Sequence, residues 1–436
     1  MIRLGELFTD TLLPAATSVE HCINRITKER GDSVAPQLVL TVDVGTTAIK
    51  LVLYHNTKQI HAHQLRIQTY TEGTGKAYQR PEELLRLLHQ GVVLMSLHAP
   101  APIQCIALST AMHALLPLYE EGPGEVLIWS DSQAAQTAAA FRNEPLSHTF
   151  YEKTGTPIHY MSPFAKLLWL KETGSPQKKV LKWLGLKELI CHYLTDDYSV
   201  DYSTASATGL FNSLTMEWDQ DIMRYLGIGK EQLPNLVDTN TQLPISSEKK
   251  EMLRLSKDAT LLIGASDGCL AAFAGYLATG LTSSLTLGTS GAVRTLAHHR
   301  ELDPSGKTFC YYLAKDLWVI GGPTNNGGLV LEWLSRLFFG QPAELFQHLD
   351  QALTLSPPGA KGLSFLPYIN GERAPHWNAN FTGSFLGITT AHQRSDFIRA
   401  AIEGVFFNLK SIMCVHPVGE PHLSINGGIF THPALG

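Results

Sequence analysis

Two stretches of the sequence place glycines and threonine hydroxyls at the end of an apolar run. The first, TVDVGTTAIK, has Asp43 just before Gly45, Thr46 and Thr47, and Lys50 follows them. Glycine allows tight backbone turns, so exposed N–H groups and threonine hydroxyls can face phosphate oxygens. Asp43 could hold Mg²⁺ through water, because Mg²⁺ usually keeps several of its waters. A plain hairpin with a turn aspartate explains this stretch equally well when it is taken alone.

The second stretch, LGTSGAVR, repeats this chemistry with Gly288, Thr289, Ser290 and Gly291. Each stretch lies between two apolar, β-branched runs, which predicts a β-hairpin rather than a strand followed by a helix. Neither stretch matches GxGxxG or the phosphate loop GxxxxGK[ST], which disfavours those nucleotide-binding folds. Two such hairpins in similar settings therefore predict a clamp around the phosphates of a nucleotide.

Asp267 is a further candidate for chemistry. It lies in the segment GASDGC, between an apolar run that predicts a strand and a small-residue run that predicts a helix. No bulky neighbour shields the carboxylate, so it could accept a proton from a substrate hydroxyl, as general base catalysis requires. The common alternative for an aspartate at this place is a helix N-cap, and the local sequence leaves both interpretations open.

The whole sequence indicates a soluble protein of two domains. At 436 residues the chain exceeds what one small core usually contains. The net charge of −5 disfavours nucleic acid as a partner. No apolar run approaches the ~18 residues of a membrane helix, and the N-terminus makes a poor signal peptide. The six cysteines are scattered, which suits reduced thiols, so we expect a cytoplasmic protein that does not bind membranes.

The elements that must position these residues follow from the apolar patterns. Both glycine–threonine hairpins predict similar topology in two domains, with a boundary near residue 278. The run PFAKLLWLKET predicts a helix with Lys166 and Lys171 on its polar face. DFIRAAIEGVFFNLKSIM predicts another helix, whose segment VFFNL we expect in the core.

These motifs together resemble the FGGY family of carbohydrate kinases, within the actin-like ATPase superfamily. TVDVGTTAIK resembles the family's first phosphate loop, and STAMHALLPL its sugar-contacting segment. MSPFAKLLWLKE and GSFLGITTAHQRSDFIRAAIEG resemble the two family signatures. The resemblance implies an α/β fold of two actin-like (ribonuclease H-like) ATPase domains around a central cleft. We expect residues 38–278 to bind sugar and phosphate, and residues 279–436 to bind the nucleotide.

Within the family, the segments IGASDGCLA, VIGGPTNNGG and FLPYINGERAPHWNAN resemble the subgroup that phosphorylates gluconate. The implied reaction is ATP-dependent phosphorylation of D-gluconate to 6-phosphogluconate, with Mg²⁺ as cofactor. Kinases of xylulose are similar, so another sugar is an alternative substrate. A further alternative is a catalytically impaired relative that binds sugar or nucleotide without turnover. The sugar-contacting segment disfavours an actin-like ATPase of the chaperone type, and the resemblance admits a homodimer.

The resemblance assigns roles to particular residues. Asp267 matches the catalytic base, and Asp43 matches the aspartate beside the metal. The nucleotide would be held by Gly45, Thr46, Thr47, Lys50, Gly288, Thr289, Gly291, Gly427 and Gly428. The sugar would meet Met112, His113 and Asp131. We expect His159 either to pack or to contact substrate, and Arg294 either to pair with the substrate carboxylate, as an arginine fork suits that group, or to be an exposed strand-end residue.

The sequence departs from the family pattern at three places. Gln133 replaces the arginine of an Asp-x-Arg element that begins at Asp131, and glutamine lacks the charge and the planar fork. Residues 1–37 have no counterpart, and we expect them to form a flexible N-terminal extension. The family pattern continues beyond the turn at Gly427 and Gly428, so we expect the second domain to be incomplete at its C-terminus.

Overall fold

The computed structural model describes residues 38–415 and 422–432, so the extension predicted for residues 1–37 lies outside the described residues. The strands up to residue 262 are β1 (Leu38–Val44), β2 (Ala48–His55), β3 (Lys58–Arg66), β4 (Tyr70–Thr71), β5 (Ala77–Gln79), β6 (Ile103–Thr110), β7 (Leu116–Tyr119), β8 (Gly122–Pro123), β9 (Val126–Leu127), β10 (Lys182–Leu184), β11 (Ser199–Asp201), β12 (Phe211–Asn212), β13 (Glu217–Trp218), β14 (Asn235–Val237), β15 (Gln242–Pro244) and β16 (Leu255–Leu262). The helices of the same part are α1 (Pro81–His98), α2 (Ala135–Arg142), α3 (Pro145–Thr154), α4 (Pro163–Thr173), α5 (Leu186–Thr195), α6 (Tyr202–Ser206), α7 (Gln220–Leu226), α8 (Ser247–Met252) and α9 (Asp267–Thr279).

The elements that follow build a second sheet and its covering helices. The strands are β17 (Ser283–Leu287), β18 (Gly291–Ala297), β19 (Phe309–Ala314), β20 (Leu317–Thr324), β21 (Ser364–Leu366), β22 (Ser384–Leu386) and β23 (Ser424–Asn426). The helices are α10 (Gly328–Phe339), α11 (Glu344–Gln347), α12 (Leu349–Leu355) and α13 (Arg394–Val415). Short 3₁₀ turns cover Lys230–Gln232, Ala360–Gly362 and Gly428–Thr431.

The first glycine–threonine stretch is the hairpin that the sequence predicts. Along β1 every second side chain is buried, as expected for a strand with one face on the core. β2 pairs with β1 in antiparallel register, which places Lys50 opposite Asp43. On its other side β1 pairs in parallel with β6, which places Ser109 beside Asp43. The sheet has the order β15-β16-β6-β1-β2-β3.

The second stretch forms the same kind of hairpin in the other sheet. β17 pairs in antiparallel register with β18 and in parallel with β23, within the order β19-β20-β18-β17-β23. In both sheets, therefore, the strand before the glycine–threonine turn lies between its hairpin partner and a parallel strand. This repetition confirms the prediction of two α/β domains of similar topology.

One buried cluster connects the two domains. It contains residues from the first domain and from α9 together with residues of β18, β19 and β20: Ala207, Ala265, Cys269, Ala272, Leu296, Phe309, Tyr311, Leu313 and Val319. Across the same contact, the Tyr151 hydroxyl donates to the carbonyl of Thr308 at 2.9 Å. The two sheets are thus joined by packed apolar side chains.

Two predictions of which helix residues are exposed or buried were wrong. α4 begins where Ser162 accepts the N–H of Ala165, and it is the predicted helix, but Lys166 is fully buried rather than on a polar face. α13 buries Val405 and Leu409 as expected, whereas Phe407 in the same segment is 65% exposed. In each case, the side of the helix that is covered depends on segments packed against it, and the sequence of the helix alone does not contain that information.

Candidate active site

Asp43 is the last residue but one of β1, at the carboxyl end of an inner strand of the first sheet. The Ser109 hydroxyl of β6 donates to its Oδ1 at 2.9 Å, and Lys50 Nζ lies 3.6 Å from its Oδ2. The carboxylate remains partly exposed. The predicted trio of aspartate, turn and lysine is therefore assembled on two hydrogen-bonded strands.

The turn after Asp43 is closed by the backbone. Gly45 donates its N–H to the carbonyl of Ala48 at 3.0 Å. Thr47 is exposed, while the Thr46 hydroxyl accepts the indole N–H of Trp129 at 2.9 Å. Thr46 is thus held by the protein, and the exposed hydroxyl of this turn belongs to Thr47.

Asp267 follows β16 through a turn that requires glycine. Gly264 has φ +66°, and a β-carbon there would lie 2.0 Å from the carbonyl oxygen of Leu108. Ser266 occupies the N-cap position of α9 and Asp267 is the first helical residue, so Asp267 is not the N-cap. Its Oδ1 accepts the N–H of Gly268 at 2.7 Å, which fixes the carboxylate at the start of the helix.

The surroundings of Asp267 shift the pKa of its carboxyl group. Burial, chiefly, and to a smaller degree the charge of Asp43 raise its pKa to about 6, although Arg294 and the Gly268 amide lower it. A β-carbon on Gly268 would lie 3.3 Å from Nη2 of Arg294 and 2.7 Å from Cε of Met112. Arg294 and Met112 therefore pack over the first turn of α9. Burial lowers the pKa of Arg294, which is partly buried rather than an exposed strand-end residue.

Lys187 supports the Asp267 turn and was missed at the sequence level. It is fully buried on α5 and donates to the carbonyls of Ile263 at 2.7 Å and Ala265 at 3.2 Å. Its Nζ also lies 3.3 Å from Oδ2 of Asp201, which is equally buried. A single lysine inside the apolar run WLGLKELI was the signal that could have found it.

His113, a predicted sugar contact, is buried. Its Nδ1 hydrogen-bonds the carbonyl of Ala207 at 2.8 Å, and burial lowers its pKa to about 3, so the ring is neutral. The buried Lys166 donates to the carbonyls of His113 at 2.8 Å and Met161 at 2.7 Å. Burial also lowers the pKa of Lys166 to about 7.

Asp131, the other predicted sugar ligand, is fully buried. It accepts the backbone N–H groups of Ala77 at 2.9 Å and Gln133 at 3.4 Å. Burial is the main cause that raises its pKa. Gln133 therefore binds Asp131 through its backbone N–H group.

His159 joins a neighbouring group that reaches the second domain. Its Nδ1 accepts the N–H of Met161 at 3.3 Å, whereas its buried Nε2 has no hydrogen-bond partner. Burial and the nearby charges of Arg373 and Arg142 hold the pKa of His159 well below its usual value. Arg373 was missed at the sequence level, although it stands in the segment GERAPHWNAN that carried the family resemblance.

The second glycine–threonine loop, residues 288–290, lies against the start of α10. Gly288 and Thr289 are exposed, and their carbonyls accept the N–H groups of Gly328 at 2.7 Å and Leu329 at 3.0 Å. Gly291 is buried at the start of β18 instead, where a β-carbon would lie 3.0 Å from Leu287. Gly288 and Thr289 are therefore the members of this loop that a ligand can reach.

The turn at Gly427 and Gly428 adjoins that loop. β23 lies beside β17, and Gly427 has φ +130°, with a β-carbon position only 2.0 Å from the carbonyl oxygen of Leu287. Ile429 then packs towards Gly328 of α10. The structure thus brings the two predicted nucleotide segments of the second domain, the loop and this turn, together at the start of α10.

The described residues contain neither a membrane-spanning helix nor a grouped set of metal-ligating side chains. Within residues 38–415 and 422–432, no helix is both long and apolar enough to cross a membrane. In the same part of the chain, no three or more His, Cys, Asp or Glu side chains are grouped as a metal site would require.

Two domains of repeated topology, each with a glycine–threonine hairpin, define a two-domain kinase fold of the actin-like type. The N-terminal domain of the FGGY family of carbohydrate kinases matches residues 38–274, and its C-terminal domain matches residues 283–435. The chain therefore belongs to the FGGY family of carbohydrate kinases, and the predicted family and fold class are confirmed.

Similar proteins agree with this assignment. The chain is 35% identical to the gluconokinase of Bacillus subtilis (strain 168) over 388 residues, which cover 86% of this chain and 76% of the relative. The structure of a gluconate kinase from Lactobacillus acidophilus is 34% identical with a TM-score of 0.85, covering 92% of this chain and 83% of that one. A ligand-bound xylulose kinase from the same organism is also 34% identical, with a TM-score of 0.84 and the same coverage.

Proposed function

We propose that this protein transfers the γ-phosphoryl group of ATP to the primary hydroxyl of D-gluconate, giving 6-phosphogluconate and ADP. The observation that carries the proposal is the half-buried carboxylate of Asp267, held at the start of α9 beside Asp43 and Arg294. The similarity to gluconokinases supports gluconate as the substrate. The domain boundary near residue 278 remains a prediction.

In the proposed reaction, the hydroxyl oxygen attacks the γ-phosphorus and the bond from that phosphorus to the β–γ bridging oxygen breaks. The hydroxyl proton passes to Asp267, and the electron pair of the broken bond leaves with ADP. The transition state of phosphoryl transfer is loose, so most of the catalysis comes from position and charge. Fixing the Asp267 carboxylate through the Gly268 amide suits that task.

ATP would lie between the two glycine–threonine loops. We assign its phosphates to the turn of Gly45, Thr47 and Lys50 and to the loop of Gly288 and Thr289. The turn at Gly427 and Gly428 would pass close to the α-phosphate and adenosine. Mg²⁺ prefers oxygen ligands and usually combines one or two carboxylates with phosphates and water, and the partly exposed Asp43 carboxylate fits that preference. A bound Mg²⁺ would neutralise charge that develops on the phosphates.

The experiment is a measurement of ADP release with D-gluconate, xylulose, ribulose and glycerol. We expect gluconate to be the best substrate and Asp267→Asn to lose roughly 100- to 10,000-fold in kcat, the usual contribution of a general base. Asp258→Asn is the matched control, because Asp258 is an exposed aspartate on β16, the strand that precedes Asp267.

The other possible results of this experiment would each support a different function or a different role for Asp267. If xylulose is clearly preferred, the substrate is wrong while the kinase stands; the similarity to a xylulose kinase makes this the main competitor. If a folded chain binds ATP but turns over no sugar, the protein is a catalytically impaired relative. If Asp267→Asn keeps full activity, Asp267 is not the base.

A further inference from the structure

Three buried nitrogen atoms between the two domains have no hydrogen-bond acceptor. They are Nε2 of His159, Nε of Arg142 and Nε of Arg373. His159 is 1% exposed and Arg373 is 9% exposed. Buried polar groups are satisfied in the great majority of cases, so a set of unsatisfied donors calls for an acceptor supplied by a ligand.

The hydrogen on Nε2 of His159 follows from its other nitrogen. Because Nδ1 accepts the N–H of Met161, it carries no hydrogen, and the neutral ring must carry its hydrogen on Nε2. Burial, and to a smaller degree the neighbouring guanidinium groups, hold the pKa of this ring well below its usual value, so the neutral form prevails. His159 therefore offers a fixed N–H donor.

The donors come from both domains. Arg142, at the end of α2, reaches across to the carbonyl of His376 at 3.2 Å. Arg373 lies over the ring of Trp129, with 5.1 Å from its guanidinium carbon to the ring centroid. Its Nη2 donates to the carbonyl of Thr324 at 2.9 Å, which leaves Nε free to serve a ligand.

The carboxylates nearby are already occupied. Glu372 accepts the Thr324 hydroxyl and the Asn408 amide, each at 2.7 Å. Asp131 accepts the backbone of Ala77 and Gln133. The charge of Glu372 acts on Arg373, but Nε of Arg373, Nε of Arg142 and Nε2 of His159 still have no protein acceptor, and an anionic group would satisfy them.

We propose that Arg373 and the Nε2–H of His159 bind the carboxylate of the sugar acid, with Arg142 adding positive charge. The proposal rests on the proposed gluconate kinase function and names the residues that select an acid over a neutral sugar. The charge of Arg294 acts on both Asp267 and Arg373, so the base and this subsite belong to one neighbourhood. An open-chain sugar acid presents its primary hydroxyl and its carboxylate at opposite ends, so the proposal assigns one end to each. Arg294 is then assigned to Asp267 rather than to the carboxylate.

The experiment is calorimetric binding of D-gluconate and of D-glucitol, the neutral analogue with CH₂OH in place of the carboxylate. We expect Arg373→Gln to weaken gluconate binding by about 10- to 100-fold, the usual effect of a hydrogen bond to a charged group, and to change glucitol binding far less. Arg336→Gln on α10 is the matched control, because Arg336 is 59% exposed.

A second variant protects the test against misfolding. His159→Asn can still accept the N–H of Met161 while it lacks the Nε2–H, so it should also lose preference for gluconate. Equal losses for both ligands would show that these residues only hold the fold. If the parent phosphorylates gluconate and both variants keep its preference, the subsite is wrong while the proposed function stands. If the parent neither binds nor phosphorylates gluconate, the proposed function fails first.

Discussion

Asp267 combines two opposing influences at one carboxylate. Burial raises its pKa to about 6, while Arg294 and the Gly268 amide favour the ionised form. A base with that pKa is ionised at neutral pH and remains close enough to the working pH to take a proton efficiently. The raised pKa of Asp267 therefore predicts that the activity falls at acidic pH.

We therefore expect kcat/KM for gluconate at saturating Mg·ATP to fall about tenfold per pH unit below about pH 6. The sign follows because protonation of Asp267 removes the base. Initial rates between pH 5 and 8 would measure it, with circular dichroism as a check that the protein stays folded. A flat profile over this range would show that Asp267 does not control the rate.

Lys187 gives a second prediction at the level of single residues. Lys187→Met leaves Asp201 as an unpaired buried carboxylate and removes two donors from the Asp267 turn, so we expect a loss of about 3–5 kcal/mol in the free energy of unfolding. Lys178→Met is the control: its ion pair with Glu121 is mostly exposed, and its loss should leave the free energy of unfolding nearly unchanged. Urea unfolding measures both, and similar values would contradict a supporting role for Lys187.

Single residues were predictable where local chemistry is distinctive. Asp43 and Asp267 stand near glycines after apolar runs, and the structure places Asp43 at the carboxyl end of β1 and Asp267 after the carboxyl end of β16. Lys187 and Arg373 were missed because their importance comes from burial against distant segments. The local sequence around a single lysine or arginine does not predict that its side chain will be buried.

At the level of elements, both hairpins were predictable because alternating apolar residues and a glycine turn specify them locally. The exposed face of a helix was not, as Lys166 and Phe407 show. The carbonyls that hold Lys166 belong to His113 and Met161, and His113 lies far away in the sequence. Helical periodicity alone cannot indicate such a partner.

The turn after β23 allows a test of one element. Gly427→Ala would place a β-carbon 2.0 Å from the Leu287 carbonyl at φ +130°, so we expect a loss of about 2–3 kcal/mol in the free energy of unfolding. Gly428→Ala meets no atom within 4 Å, so its effect on stability should stay within ~0.5 kcal/mol. Urea titrations of the two variants give the comparison. If Gly427→Ala is as stable as Gly428→Ala, the backbone of this turn is not constrained as described.

At the scale of the whole molecule, the buried cluster that joins the domains makes them depend on each other. Phe309 and Tyr311 of the second domain pack in one cluster with Ala207 and Cys269 of the first. Unfolding either domain alone would expose this apolar surface to water. The sequence predicted two similar domains, but it could not predict which surfaces they share, because the shared residues are far apart in the chain.

We therefore expect the two sheets to unfold together. In hydrogen exchange followed by mass spectrometry at increasing urea, peptides from β6 and β18 should lose protection at the same urea concentration. A Phe309→Ala variant should separate the two midpoints, since it removes a large side chain from the shared cluster. Earlier loss of β18 in the unmodified protein would mean that the domains are independent.

The glycines after β16 and β23 carry a further consequence. Gly264 and Gly427 each follow a parallel strand, and each would place a β-carbon 2.0 Å from a carbonyl oxygen of the adjacent strand. β23 pairs with β17, the first strand of its hairpin, whereas β16 pairs with β6 and lies one strand further from the hairpin of β1 and β2. The two turns therefore occupy different positions in their sheets. The same close approach of two backbones thus serves the proposed proton acceptor in one domain and the proposed nucleotide wall in the other.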